Sequence, residues 1–205
     1  GSRAQVSRTR RRRRVTRSMS DTSTAAGKVT VTPEEFSFVK YDAAEIAALV
    51  GELAAQLEIA NPIQVVVDET TPLAKVYEEI EAASSDATIT LHAQSGALED
   101  RQHPMSFSAT NAREGLGRIL LRARDRMRAD FAGAPADLDL TLAENAAWDT
   151  YCAGRLARMG VETNRQRWRY NHRNRFGFSD DVDRHFDRLW NADDLAWSDL
   201  ASPTV

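Results

Sequence analysis

The chain has 205 residues, of which 42% are hydrophobic, so it is long enough to bury a sizeable core in one domain. No apolar run approaches the roughly 18 residues that a membrane span requires, and no stretch near the start is typical of a signal peptide. One cysteine, Cys152, excludes an internal disulfide and a multi-cysteine zinc site. We expect a soluble, cytoplasmic protein with no membrane partner, and we attribute its excess of arginine over lysine to a GC-rich bacterial genome.

Charge is distributed unevenly along the chain. Residues 1–18 hold eight of the 27 basic residues and none of the 30 acidic ones, so the rest of the chain has 19 basic residues and a net charge of −11. An acidic body opposes general binding to duplex DNA, because phosphates repel most of its surface. We interpret residues 1–18 as a remnant or misassigned start that precedes Met19; a genuine tail would be an arm for anionic partners.

The division of the chain follows from this charge pattern and from the apolar periodicity. Residues 1–28 are predicted to be a disordered basic tail, residues 29–200 a single α+β domain, and residues 201–205 a flexible C-terminus.

The first half of the domain is predicted to be a small β-sheet with one packed helix. Residues 29–41 alternate in hydrophobicity and are typical of a strand. Asp42 is predicted to cap a helix that ends before Asn61 and Pro62. Residues 63–67 and 88–91 are predicted strands, whereas the segment between them from 75 to 82 fits either a strand or a short helix.

The second half is predicted to be helical. Thr110 lies at the start of an arginine-rich amphipathic helix, and Thr141 with Glu144 forms a capping box before a second helix that ends at Gly160. Ser179 is predicted to cap a third helix, in which the first acidic residues complement the helix dipole. The fold class is therefore α+β, with three helices in the C-terminal half.

The order of helix, strand, possible strand, strand and helix over residues 42–128 is similar to the core of zincin-type metallopeptidases. In that family the last helix carries the motif HExxH, in which two histidines bind zinc and a glutamate activates water. The comparable stretch here, residues 113–117, reads REGLG and retains only Glu114. The resemblance therefore implies a degenerate zincin-like fold that has lost both metal ligands.

A hydrolase-like enzyme is the first alternative function. His92, Glu99 and His103 lie in a loop-like stretch and could converge with Glu114 on a metal or on general acid-base chemistry. A polar surface loop is the commoner explanation, because no standard ligand spacing is present.

Two further candidates have simpler structural explanations. Cys152 lies among aromatic and small residues in a predicted helix and is interpreted as a buried thiol. Asp181 and His185 are one helical turn apart and could share a metal, but helix capping explains the acid better. No glycine-rich phosphate loop is present, so we predict no catalytic residue, no cofactor and no metal.

The segment from 164 to 178 reads NRQRWRYNHRNRFGF, with five arginines, four aromatic residues and no acid. Guanidinium groups beside aromatic rings pair with phosphates and stack on bases. The aromatic residues could instead pack in the interior, with the arginines forming ion pairs with carboxylates elsewhere in the domain. The predicted anion- or nucleic-acid-binding residues are Arg118, Arg122, Arg165, Arg167, Trp168, Arg169, Tyr170, Arg173 and Arg175.

These features favour a non-enzymatic binding or adaptor protein whose partner is single-stranded nucleic acid or an acidic protein. A structural protein-protein interaction module is the second alternative to this prediction. It would use apolar residues near the C-terminus, which could equally belong to the core: Leu189, Trp190, Leu195, Trp197 and Leu200.

Overall fold

The computed structural model describes residues 1 and 28–202 of the chain, so most of the predicted tail and residues 203–205 lie outside the described residues. The strands are β1 (Val29–Thr32), β2 (Ile63–Asp68), β3 (Val76–Ile80), β4 (Ile89–Gln94), β5 (Glu99–Asp100) and β6 (His103–Phe107). The α-helices are α1 (Ala43–Gln56), α2 (Ala109–Arg126), α3 (Leu142–Arg158), α4 (Arg165–Phe176), α5 (Asp180–Asn191) and α6 (Trp197–Ala201). The α+β fold class is confirmed.

Four strands form a mixed sheet in the order β1-β2-β4-β3. Strands β1, β2 and β4 are parallel, and β3 is the antiparallel edge strand, so the ambiguous segment is a strand. Alternate residues of β2 and β4, such as Val65 and Leu91, are fully buried against α1 and α2. Their neighbours Gln64 and Thr90 point to the opposite, partly exposed face, as the period of a strand requires.

Predicted side-chain caps begin three of the helices. The Asp42 carboxylate accepts a hydrogen bond of 2.7 Å from the Ala44 amide, and Ser179 accepts one from the Val182 amide. Thr141 and Glu144 form the expected reciprocal capping box at the start of α3. These contacts satisfy amide groups that have no partner within the helix itself.

The structure differs from the sequence prediction between β4 and α2. His92 lies within β4, while Glu99 and His103 belong to a short antiparallel hairpin formed by β5 and β6. This stretch is therefore ordered backbone and not the loop that its polar composition indicated. The hairpin connects to the rest of the fold through the Lys40 amide, which donates a 2.7 Å bond to the Met105 carbonyl.

The C-terminal half contains α4 and α6 in addition to the three predicted helices. Its apolar C-terminal residues are largely buried: Leu189 and Leu200 are fully buried in the main core, Trp190 is 6% exposed in a smaller cluster, and Leu195 and Trp197 are partly buried against the main core. The side chains of Leu189, Trp190 and Leu200 are therefore enclosed by the fold and not available to a partner. Within the described part of the chain, none of the helices combines the length and apolar composition needed to cross a bilayer.

Candidate anion-binding site around Trp168

Helix α4 divides its arginines between two faces. Arg165, Arg169 and Arg173 recur every four residues and therefore share the face that contacts α5. Arg165 and Arg169 donate to the Asp187 carboxylate at 2.8 and 2.6 Å, and Arg173 forms a bidentate pair with Asp183 at 2.7 and 2.5 Å. These three predicted binding residues hold α4 against α5. Their guanidinium groups thus pair with carboxylates of the same chain, as the alternative interpretation of the segment expected.

The two remaining arginines of α4, Arg167 and Arg175, lie on a different face. Both are exposed, and neither forms an ion pair with any described residue. Together with Asn171 and Asn174 they line a groove of about 330 Å³ between α4 and the first half of α3. Free guanidinium and amide donors thus border one continuous depression.

Two aromatic side chains stand near these arginines. Tyr170 is 58% exposed and Phe178 is 66% exposed, with ring centroids 6.2 Å apart in an edge-to-face arrangement. Exposed rings of this size provide flat apolar surfaces that a planar ligand can cover. Phe178 was not among the predicted site residues, because its exposure depends on how the chain leaves α4 after Gly177.

Arg122 does not belong to this surface. It is 2% exposed, and its guanidinium binds the carboxylates of Asp137 at 3.1 Å and Asp149 at 2.6 Å. Burial opposes the charged form, but Asp149 and Asp137 outweigh it and raise the pKa of Arg122. Trp148 covers the same guanidinium, with its ring centroid 5.3 Å away. The expectation that Arg122 binds an external anion is therefore corrected by its burial in an internal ion-pair network.

Arg118 links that network to the groove. Its guanidinium pairs with Asp149 and lies 4.9 Å from the ring of Trp168. The Nε atom of Arg118 is buried and has no hydrogen-bond partner. Trp168 in turn donates its Nε1 hydrogen to the Glu114 carboxylate at 2.5 Å. A half-buried tryptophan is thus held between a glutamate and an arginine of α2.

A second, smaller cavity adjoins the groove. It has a volume of about 80 Å³ and lies between α2, the sheet and α4. Arg118, Arg167 and Trp168 line both the cavity and the groove. Arg101, from the turn between β5 and β6, also lines the cavity and forms no ion pair with a described residue. No sequence pattern indicated Arg101, because only the tertiary fold brings that turn close to α4.

The residues of the alternative enzyme site do not converge. His92 binds Glu79 at 3.0 Å on the sheet, whereas His103 binds Asp100 at 2.8 Å in the hairpin. Glu99 accepts a 2.5 Å bond from the Met105 amide, and of the four predicted residues only Glu114 lines the small cavity. Among the described residues, no three His, Cys, Asp or Glu side chains are placed to hold a metal ion.

Cys152 is fully buried, and Arg155 donates a 3.3 Å bond to its sulfur. Burial raises the pKa of the Cys152 thiol to about 11, so the thiol remains protonated at neutral pH. This environment agrees with a buried structural thiol.

Asp181 and His185 do not share a ligand position. Asp181 pairs with Arg184, while His185 is buried and its Nδ1 lies 3.0 Å from Nε2 of His172. The contact between the two histidines was not predicted, because they lie on different helices and neither forms a recognisable motif.

No model of a known protein family matches the chain, and comparisons with curated proteins and with solved structures also found no match. The similarity to zincin-type metallopeptidases therefore rests on the order of α1, β2, β3, β4 and α2.

Proposed function

We propose that this protein is a non-enzymatic binding or adaptor protein that binds single-stranded nucleic acid through α4. The binding face combines four exposed residues that line the groove with the two exposed aromatic rings that lie on or just after the same helix, and we call it the α4 surface: Arg167, Asn171, Asn174 and Arg175 in the groove, and Tyr170 and Phe178 outside it. The observation that carries the proposal is the presence of two unpaired arginines beside two exposed aromatic rings.

The lack of ion pairs is informative because acids are abundant in this protein. Carboxylates pair with most of its described arginines, including those on the α5 side of the same helix. The described arginines without an ion pair are Arg101, Arg124, Arg167, Arg175 and Arg188, and three of these line the two adjoining depressions. A cluster of free guanidinium groups on an acidic body favours an anionic ligand.

Several features favour a single strand over a duplex. Unpaired bases expose their faces for stacking on Tyr170 and Phe178, whereas the bases of a duplex are already stacked on one another. Asparagine amides can donate to and accept from base edges. The acidic remainder of the chain would repel a rigid duplex that extends beyond the α4 surface. An acidic protein could form ion pairs with the two arginines, but its carboxylates would not stack on the two aromatic rings.

A binding measurement with matched variants tests this proposal. We expect Arg167→Gln combined with Arg175→Gln to weaken binding of a fluorescently labelled oligo-thymidylate by about tenfold or more, as read by anisotropy. The slope of log affinity against log salt should also fall by about 1.4, because two phosphate contacts are lost at about 0.7 each. The midpoint of thermal unfolding should stay close to that of the parent protein, since neither arginine has an ion pair to lose.

The control variant combines Arg113→Gln with Arg188→Gln. It removes the same charge from α2 and α5 outside the groove: Arg188 is exposed and unpaired, whereas Arg113 is partly exposed and pairs with Glu52 on the surface. If both double variants weaken binding equally, the loss comes from the change in net charge, and binding at a specific surface is contradicted. Binding of an acidic peptide in place of the oligonucleotide would assign the same arginines to a protein partner.

A further inference from the structure

The small cavity beside the α4 surface is shaped for a compact group. Its floor is formed by Ala74, Gly96, Ala97 and Gly115, none of which contributes more than a methyl group. Gly96 also lets the chain at Pro72 and Leu73 pack against it, because a Cβ atom there would lie 2.5 Å from the Pro72 carbonyl oxygen and 2.8 Å from that of Leu73. A volume of about 80 Å³ has room for several water molecules and therefore for one tetrahedral anion.

The lining of the cavity is positive. Three arginines, Arg101, Arg118 and Arg167, and one carboxylate, that of Glu114, line the cavity; because Arg118 is paired with Asp149, the net charge of the group is +1. The Glu114 carboxylate already accepts the Trp168 Nε1 hydrogen. Arg101 and Arg167 have no ion pair in the described part of the chain, so their donors are available to a ligand. Planar guanidinium forks bind phosphate oxygens in pairs.

We infer that the small cavity binds the terminal phosphate of the strand that lies along the α4 surface. A terminal phosphate monoester carries a charge of about −1.5 to −2 and three strong acceptor oxygens, enough to accept from both unpaired arginines, Arg101 and Arg167. A phosphodiester within the strand carries one charge and is substituted on two sides, so it offers fewer free oxygens to the donors of Arg101 and Arg167. Because Arg118, Arg167 and Trp168 line both depressions, one ligand can occupy both.

This inference rests on the proposed function, and its test separates the two. The full chain is titrated with ten-nucleotide oligo-thymidylates, labelled internally, that differ only in their ends: both hydroxyl, 5′-phosphate, or 3′-phosphate. We expect one phosphorylated end to strengthen binding by about tenfold. The arginines of residues 1–18 also attract the extra charge of a phosphorylated end, but they are the same in every variant below, so their contribution cancels when the variants are compared with the parent protein.

Two variants connect the preference to the cavity. Arg101→Gln removes an exposed guanidinium without breaking an ion pair and should abolish most of the preference for the phosphorylated end. Gly115→Leu fills the cavity without changing charge; the nearest atoms to a Cβ at this position, those of Val76 and Ala97, are 3.9 and 4.0 Å away. Arg188→Gln is the control, an exposed arginine of α5 outside both depressions, and should retain the full preference.

The outcomes are distinct. Equal affinity for all three ends would overturn the assignment of the cavity and leave strand binding intact. Loss of the preference in Arg188→Gln to the same extent as in Arg101→Gln would also overturn it. If no oligonucleotide binds, the proposed function fails. Calorimetry with thymidine monophosphate and with thymidine then tests phosphate binding in the cavity by itself. Binding heat from the monophosphate but not from thymidine supports the cavity assignment, and equal heats contradict it.

Discussion

At the scale of single residues, the pair of buried histidines between α4 and α5 has a defined protonation state. The Thr150 hydroxyl donates to the Ala146 carbonyl at 2.8 Å, so its oxygen accepts the hydrogen on Nδ1 of His172. His172 Nε2 must then accept from Nδ1 of His185 at 3.0 Å. This leaves Nε2 of His185 as a buried acceptor without a partner. Each ring is therefore neutral and its tautomer is set by its neighbour.

Acid should destabilise the protein through these two rings. Burial lowers the pKa of His172 to about 4, assisted by His185 and opposed by Asp183; burial and Arg188 lower the pKa of His185 to about 4. Because the unfolded chain binds these protons first, the histidine contribution is complete above about pH 6.5 and is lost as the pH falls toward 4. The expected slope is about 1.4 kcal/mol per pH unit for each histidine within this window.

Urea unfolding of the parent protein and of His185→Gln at pH 7.5 and 5.0 measures this effect. Glutamine can still donate to Nε2 of His172, but it does not titrate. Between the two pH values the free energy of unfolding of the variant should therefore fall less than that of the parent. The difference should match the slope of one histidine, about 1.4 kcal/mol per pH unit below about pH 6.5. Identical losses would show that other groups, such as the paired carboxylates, account for the acid sensitivity.

At the scale of elements, α3 and α5 pack closely because α3 has a glycine at the contact. A Cβ atom at Gly154 would overlap the Trp190 carbonyl oxygen and lie 2.7 Å from its carbon. Arg158, one turn further along α3, donates to the same carbonyl. The two backbones can therefore approach only while position 154 has no side chain.

We expect Gly154→Ala to destabilise the protein by about 1–3 kcal/mol or more, because backbone atoms must move apart. Gly51→Ala is the matched substitution: it lies inside α1, and no atom lies within 4 Å of the new Cβ. That change should stabilise by about 0.4–1 kcal/mol, since alanine has less freedom to lose on folding. Opposite signs in urea unfolding support the close approach, and stabilisation by both substitutions would contradict it.

Local signals explain which elements the sequence could predict. The caps at Asp42, Thr141 and Ser179 depend on residues within three positions of each other, so their sequence pattern is sufficient. Helix α4 buries only His172 and depends on ion pairs with α5, so it has little apolar periodicity to recognise. The β5 strand has two residues, which is too few for an alternating pattern.

The candidate site was predictable only in part for the same reason. Arg122 and Arg167 both lie in arginine-rich helical segments, and nothing near either residue in the chain distinguishes them. Arg122 is buried with Asp137 and Asp149, which reach it from outside α2. Arg167 forms no ion pair with any described residue, since nearby Glu114 and Asp149 are bonded to Trp168 and to other arginines. Whether an arginine is internal or available thus depends on contacts between elements that are far apart in sequence.

At the scale of the whole molecule, positive charge is concentrated in two places on a chain that is otherwise acidic. One is residues 1–18, with eight arginines, and the other is the α4 surface with the adjoining cavity. A dense run of arginines binds any polyanion, single or double stranded, in a strongly salt-dependent manner. The α4 surface adds aromatic stacking, which only unpaired bases can use. The two regions should therefore differ in selectivity as well as in affinity.

Removal of residues 1–18 should reveal this selectivity. A version that begins at Met19 keeps every described helix and strand, so its thermal unfolding should match that of the full chain. At low salt we expect it to bind single-stranded RNA or DNA with a salt slope of about 1.4–2.1, the value for two or three phosphate contacts, and to lose most binding to duplex DNA. Anisotropy titrations of both ligands at two salt concentrations measure these slopes. If single-strand binding disappears together with duplex binding, the arginines of the first 18 residues account for all of it, because the acidic body alone repels both ligands.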